Sequence, residues 1–110
     1  MNIKISSKRV LFAGLLALSS LAHADPVWID VRSAAENEAD SIQGDVLIPH
    51  TEIVESVSEL FPDKDTEIYL YCRSGNRSGQ ATEALTQAGY TDVSNAGSIG
   101  DARKQRHITD

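Results

Sequence analysis

The sequence predicts an α/β fold: a mostly parallel sheet with helices on its faces. Three observations predict it. Short β-branched or apolar runs recur along the chain, as strands do. Each is followed by a helix-start signal or by apolar residues at helical spacing. The strand–helix alternation continues throughout, which requires crossover connections and favours parallel pairing.

Val27-Trp-Ile-Asp-Val-Arg32 alternates and is rich in β-branched residues, so it reads as the first strand. Ser33-Ala-Ala-Glu36 is a capping box, and it opens a helix over Ala34–Ala39. Asp45–Ile48 is a short apolar strand stopped by Pro49. Thr51 is placed to cap a helix carrying Ile53, Val54, Val57, Leu60 and Phe61 on one face. Pro62–Asp65 is a turn, and Glu67–Cys72 is the strongest strand. Ser78 is placed to cap a helix bearing Ala81, Ala84, Leu85 and Ala88, which Gly89 ends. Thr91–Ser94 reads as a strand and Asn95–Ser98 as a turn, and the tail from Gly100 is polar and weakly patterned.

Composition narrows the function classes. The 110 residues hold 16 acidic and 10 basic side chains, for a net charge of -6. Such a chain is a poor nucleic-acid binder, because phosphate backbones attract Lys and Arg. A single cysteine excludes both a disulfide framework and a cysteine-rich zinc site, and no metal ligand set stands out.

Residues 1–24 read as a secretory signal peptide. Lys4, Lys8 and Arg9 start it, Val10–Leu21 is an uncharged apolar run, and Ala22-His23-Ala24 supplies an Ala-x-Ala cleavage site. The run is too short to span a bilayer, which takes about 20 residues. Residues 25–110 are then a single domain with all 16 acidic and seven basic side chains, net -9. The expected location is the bacterial periplasm, with no membrane attachment after cleavage. In that oxidising compartment a lone cysteine needs a reason.

The reason lies in Cys72-Arg-Ser-Gly-Asn-Arg-Ser-Gly79. Cys72 ends an apolar strand, and every one of the seven residues that follow is polar or glycine. Ligands of open α/β sheets bind outside the carboxyl ends of strands. Loop N–H groups and a helix N-terminus favour an anion there. Gly75 lets the backbone curl, and Arg73 and Arg77 add positive charge. Together these favour thiolate over thiol, and the thiolate is the nucleophile.

On these residues the chain resembles the rhodanese superfamily, and within it the small periplasmic single-domain kind. The match runs through Trp28-Ile-Asp-Val-Arg32, Ile42-Gln-Gly44, Ile48-Pro49, Cys72-Arg-Ser-Gly-Asn-Arg77, Gly79-Gln-Ala81, Gly89-Tyr90 and Asn95-Ala-Gly97. The resemblance implies a rhodanese-like, five-stranded parallel sheet flanked by helices. It implies a thiosulfate sulfurtransferase in which Cys72 takes the outer sulfur of thiosulfate as a persulfide. Cyanide, or a thiol or protein acceptor, then removes it. Arg73 and Arg77 would bind the sulfonate, and the backbone of Ser74, Gly75, Asn76 and Arg77 would stabilise the sulfur anion. Asp30 and Arg32 fall on the family's first-strand motif as supporting residues, with Glu36 a candidate partner of Arg32. No metal or organic cofactor is implied, and a monomer is expected. The chain departs from the family's usual pattern at Asn37, Asp40-Ser41, Asp45 and Ser98, and lacks a tryptophan near its end.

Two other readings stay open. A phosphatase or arsenate reductase would use a Cys-x5-Arg loop, whereas Cys72 and Arg77 are one residue closer. A persulfide carrier or interaction module of the same fold would use Asp63-Lys-Asp65 or Arg103-Lys-Gln-Arg106 for docking, although solvated surface explains both. His50 and His107 read as exposed imidazoles, and Tyr69 and Tyr71 as strand packing.

Overall fold

The computed structural model describes residues 24–109. The expected leader, Ala24 apart, lies outside the described residues. The elements in chain order are β1 (Val27–Asp30), α1 (Ala34–Ala39), β2 (Val46–Leu47), a 3-10 turn (His50–Glu52), α2 (Ile53–Leu60), β3 (Ile68–Cys72), α3 (Asn76–Gln87), β4 (Val93–Ser98) and α4 (Ile99–Gln105). All strand pairs are parallel, in the order β2-β1-β3-β4. The α/β architecture is the one expected. Where the resemblance implies five strands, the described residues contain four.

Alternation along β3 divides the interior in two. Ile68, Leu70 and Cys72 face a core with Ile29, Val31, Ile53, Val57, Ala81 and Leu85, closed by α2 and α3. Tyr71 faces the other side, with Ile42, Ala96 and Ala102 under α4, and Trp28 and Tyr69 pack there too. Cys72 is thus the last residue of a fully buried row, on the face that α3 covers.

Several local signals resolve differently from expectation. The α1 capping box forms as predicted, with Glu36 N–H donating to Ser33 Oγ at 3.2 Å and Ser33 N–H to Glu36 Oε1 at 3.0 Å. Thr51 does not cap α2, because the chain first makes a 3-10 turn and Glu52 takes the cap position without a side-chain bond. Ser78 does not cap α3 either. The helix starts three residues earlier, behind Gly75 in the left-handed region, and Ser78 is buried inside it. The predicted turn at Asn95–Ser98 is the second half of β4. It contains a bulge, since Leu70 pairs with Asn95 but Tyr71 pairs with Gly97. The tail forms α4 behind a second capping box, Ser98 with Asp101.

Of the positions noted as departing from the rhodanese pattern, Asp40 and Asp45 hold α4 and Ser98 starts it. Asp45 accepts from Tyr71 Oη at 2.7 Å and from both terminal nitrogens of Arg106 at 2.7 and 2.9 Å. Arg106 also lies 4.2 Å over Trp28, which stacks on Tyr69 at 4.5 Å. Asp40 pairs with Arg103 at 2.8 Å, and Ser98 caps α4. Arg103 and Arg106 therefore fasten α4 to the loop before β2 rather than forming a free basic patch. Asn37 binds elsewhere, its Nδ2 donating to Asp30 Oδ2 at 3.0 Å.

Asp30 and Arg32 form a buried pair. Arg32 donates from its backbone N–H to Asp30 Oδ1 at 2.9 Å, and from its terminal nitrogen to Oδ2 at 2.8 Å. The same nitrogen donates to the Asp40 carbonyl. Arg32 thus pairs with Asp30 and not with Glu36 as expected, because its planar fork matches the carboxylate two residues back. The pair ties the end of β1 to α1. Removing one partner leaves a buried charge uncompensated. Arg32→Met is accordingly expected to lower unfolding free energy by about 3 kcal/mol, measured by urea titration.

Candidate active site

The site lies at the carboxyl end of β3. Cys72 Sγ is fully buried and accepts a hydrogen bond from Gly75 N–H at 3.0 Å, while Ser78 Oγ, 3.4 Å away, divides its one proton between the sulfur and Asn95 Oδ1. The first bond depends on Gly75 having a φ of 95°, which folds the loop back over the sulfur. A side chain at residue 75 would also stand 3.4 Å from Gly97 Cα.

Asn95 of β4 braces this loop from the neighbouring strand. Its Nδ2 donates to the Gly75 carbonyl at 3.0 Å. Its Oδ1 accepts from Ser78 Oγ at 2.7 Å and from Gly97 N–H at 2.9 Å. The bulge and the positive φ of Gly97 (97°) accompany that geometry. Ser78 and Asn95 are the site residues that reading the sequence misses. Ser78 looks like a helix cap and Asn95 like a turn residue, and their shared role shows only when two strands lie side by side. The available signal is Asn95-Ala-Gly97, a piece of the family resemblance whose partner the sequence alone does not give.

Burial pushes the Cys72 thiol up, but the Ser78 hydroxyl and the N–H groups of Ser78, Ser74 and Gly75 outweigh it and bring it down from 9.0 to about 7. The cause is donors aimed at the sulfur. The two arginines of the loop differ in what they meet. Arg77 gives both terminal nitrogens to Glu36, at 2.7 and 2.9 Å, so its charge is already matched. Arg73 is exposed, and among the described residues no carboxylate pairs with it. Ser74 and Asn76 are exposed, and the Asn76 side chain accepts from Gln80 at 2.9 Å. Asp30 and Arg32 bind each other at the end of β1, and Arg32 lines the same cleft as Arg73. The sulfur's hydrogen-bond partners are Gly75 and Ser78, not His50 or His107.

Beside the loop opens a cleft of about 310 Å³ lined by Arg32, Glu36, Ala39, Asp40, Arg73 and Ile99. A second hollow of about 220 Å³ lies at the opposite, amino ends of the strands, where Asp25, Asp63, Asp65, Glu67 and Asp92 make it acidic. A thiol that ionises near neutrality, in a ring of donors beside an open cleft with a free arginine, can attack an anionic electrophile and hold the resulting sulfur anion.

Comparison with known proteins decides the family. A profile of the Rhodanese-like domain matches residues 16–98. The chain belongs to the rhodanese-like domain family. It is 39% identical over 94 residues to the thiosulfate sulfurtransferase PspE of Escherichia coli (strain K12), covering 86% of this chain and 90% of that one. It is 38% identical over 71 residues to a sulfurtransferase of Allochromatium vinosum, covering 64% of each chain. Among solved structures it superposes on an E. coli rhodanese with anions at a TM-score of 0.67 and 40% identity, covering 70% of this chain and 91% of that one. The human single-domain sulfurtransferase TSTD1 gives a TM-score of 0.61 at 28% identity, covering 84% of this chain and 88% of that one. The rhodanese resemblance and the enzyme class it implies, a sulfurtransferase, both stand.

Ionisation of Cys72 gives two linked outcomes. The rate of alkylation by iodoacetamide is expected to be half-maximal near pH 7. Ser78→Ala, which removes a donor to the thiolate, moves that midpoint up by about one pH unit. A thiol whose folded value lies below its unfolded one adds stability that is complete above about pH 9 and lost as pH falls through about 7. Urea titrations from pH 6.5 to 9 check this, and Cys72→Ser lacks the rise.

Proposed function

We propose that the protein is a thiosulfate sulfurtransferase that works in the periplasm, with Cys72 as its nucleophile. The Cys72 thiolate attacks the outer sulfur of thiosulfate. The bond to the sulfonate sulfur breaks, its electron pair leaves with sulfite, and Cys72 carries the sulfur as an anionic persulfide. An acceptor with a free electron pair then attacks the terminal sulfur. With cyanide the products are thiocyanate and the Cys72 thiolate, so charge and atoms balance over both steps.

The observation that carries this reading is the buried Cys72 sulfur held 3.0 Å from Gly75 N–H. A fully buried anion needs fixed donors, and these stay in place when the charge moves from thiolate to persulfide. Arg73 is the cation for the sulfonate end, since it lines the cleft without a carboxylate partner among the described residues. Neither transfer step needs a general acid, whereas a phosphatase must protonate a leaving alcohol. With Arg77 on Glu36 and one residue fewer in the loop, the cradle suits a single sulfur better than a tetrahedral phosphate. Names of relatives support the same chemistry: PspE is a thiosulfate sulfurtransferase and the A. vinosum relative a sulfurtransferase. The basic, apolar and Ala-x-Ala layout of residues 1–24 supports export.

Intact mass after incubation with thiosulfate is expected to show a one-sulfur increment that Cys72→Ser lacks, and aryl phosphate is not turned over. An unmodified protein, or equal modification of the serine variant, overturns the mechanism. Arg73→Gln is expected to raise KM for thiosulfate about fivefold with less effect on kcat. Lowering salt from about 0.15 M to 0.01 M lengthens the screening distance from ~8 to ~30 Å. The acidic body then repels the dianion, and apparent KM rises in steady-state assays.

A further inference from the structure

Glu36 stands where nothing in the sequence places a participant in the chemistry. It grips Arg77 through two near-parallel bonds of 2.7 and 2.9 Å. A guanidinium uses that same planar fork to hold a carboxylate, a phosphate or the oxygens of a sulfonate. Arg77 lies five residues beyond Cys72, close enough for the sulfur's charge to act on its guanidinium. Glu36 and Arg73 line the same cleft.

We propose that Glu36 is an intramolecular competitor for the anionic end of the sulfur donor, filling the Arg77 fork so that thiosulfate and sulfite are held by Arg73 and released readily. The inference rests on the sulfur-transfer reading above. Two features suit Glu36 to this role. It is fixed from behind, its Oε1 accepting from Ser33 N–H and from Ser33 Oγ, both at 3.0 Å. Little side-chain freedom remains to be lost when it meets Arg77. It is also ionised at every working pH, because Arg77 first and the Ser33 N–H next hold its carboxyl well below the usual carboxylate range. An outside dianion would therefore always have to displace a resident, tethered one. Product release gives the arrangement its logic. Sulfite leaves as a dianion much like the substrate, and a cradle with both arginines open would hold both.

Glu36→Gln removes the charge while keeping the Ser-x-x-Gln form of the capping box. Glu36→Ala, read the same way, also removes the amide oxygen that could still fill the fork. In both, KM for thiosulfate is expected to fall at least about threefold, and sulfite inhibition to tighten by a similar factor. Preference for the thiosulfate dianion over an aryl thiosulfonate monoanion is expected to widen. In an Arg77→Met background the same substitutions change none of these. Persulfide formation in the unaltered protein with unchanged KM and sulfite inhibition in both variants overturns the proposal and leaves Glu36 a strut. A gain that survives Arg77→Met overturns it as well, since Glu36 would then act by plain repulsion. Absence of persulfide in the unaltered protein overturns the sulfur-transfer reading itself, and this proposal with it.

Discussion

A sulfur atom that is fully buried and must carry a negative charge is the constraint on which this site depends. Water cannot solvate it, so the protein must supply donors at fixed positions. The 3.0 Å bond from Gly75 N–H meets that need, and it exists only while residue 75 holds a φ of 95°. Asn95 keeps the loop in that shape by holding the Gly75 carbonyl. Asn95 in turn sits at the bulge that Gly97 accompanies. The chain from sulfur to Gly75 to Asn95 to Gly97 joins two parallel strands and the start of α3. A substitution at Asn95 or Gly97 therefore acts on Cys72 without touching it.

Electrostatics divides the arginines by what lies beside them. Arg32 is matched by Asp30, Arg77 by Glu36, Arg103 by Asp40 and Arg106 by Asp45. Among the described residues only the Asp30–Arg32 pair is buried at both ends, so it has the highest stake in remaining intact. The half-exposed Arg77–Glu36 pair adds little stability by itself. Its importance lies in which anion occupies a fork close to the reacting sulfur. Arg73 is the arginine left without a carboxylate partner among the described residues, and it lies on the loop that carries the cysteine.

Cys72, its strand, the glycine of its loop and the α1 capping box are legible in the sequence because each is written within a few residues. So are the strand–helix alternation and the packing of Tyr69 and Tyr71. What the sequence hides is set by distance along the chain. Arg77 and Glu36 are 41 residues apart, and Gly75 and Asn95 are 20 apart. Local rules assign such residues to solvent or to a turn. The missed α4 differs in kind. Its start signal, Ser98 with Asp101, is local, but a short polar helix has no apolar stripe to announce it. It is held instead by Arg103 and Arg106 reaching Asp40 and Asp45. Both carboxylates lie in the loop before β2, so the two pairs fasten the C-terminal segment at one place.

The sheet also separates the acidic surface of the chain from the Cys72 loop. Its strands are parallel, so all carboxyl ends lie on one side, with Cys72 and Arg73. The amino ends lie on the other, with Asp25, Asp63, Asp65, Glu67 and Asp92 around their own hollow. Five residues of β3 separate the two sides. At ~3.3 Å per residue that is roughly 16 Å. The screening length at physiological salt is ~8 Å, so the acidic end is about two screening lengths from the sulfur. The nearby donors and Arg73 then govern what the donor meets on arrival, while net charge governs only the approach. Segregating charge along the strands keeps the acidic hollow away from the Cys72 sulfur and, on the proposed reading, from its anionic donor.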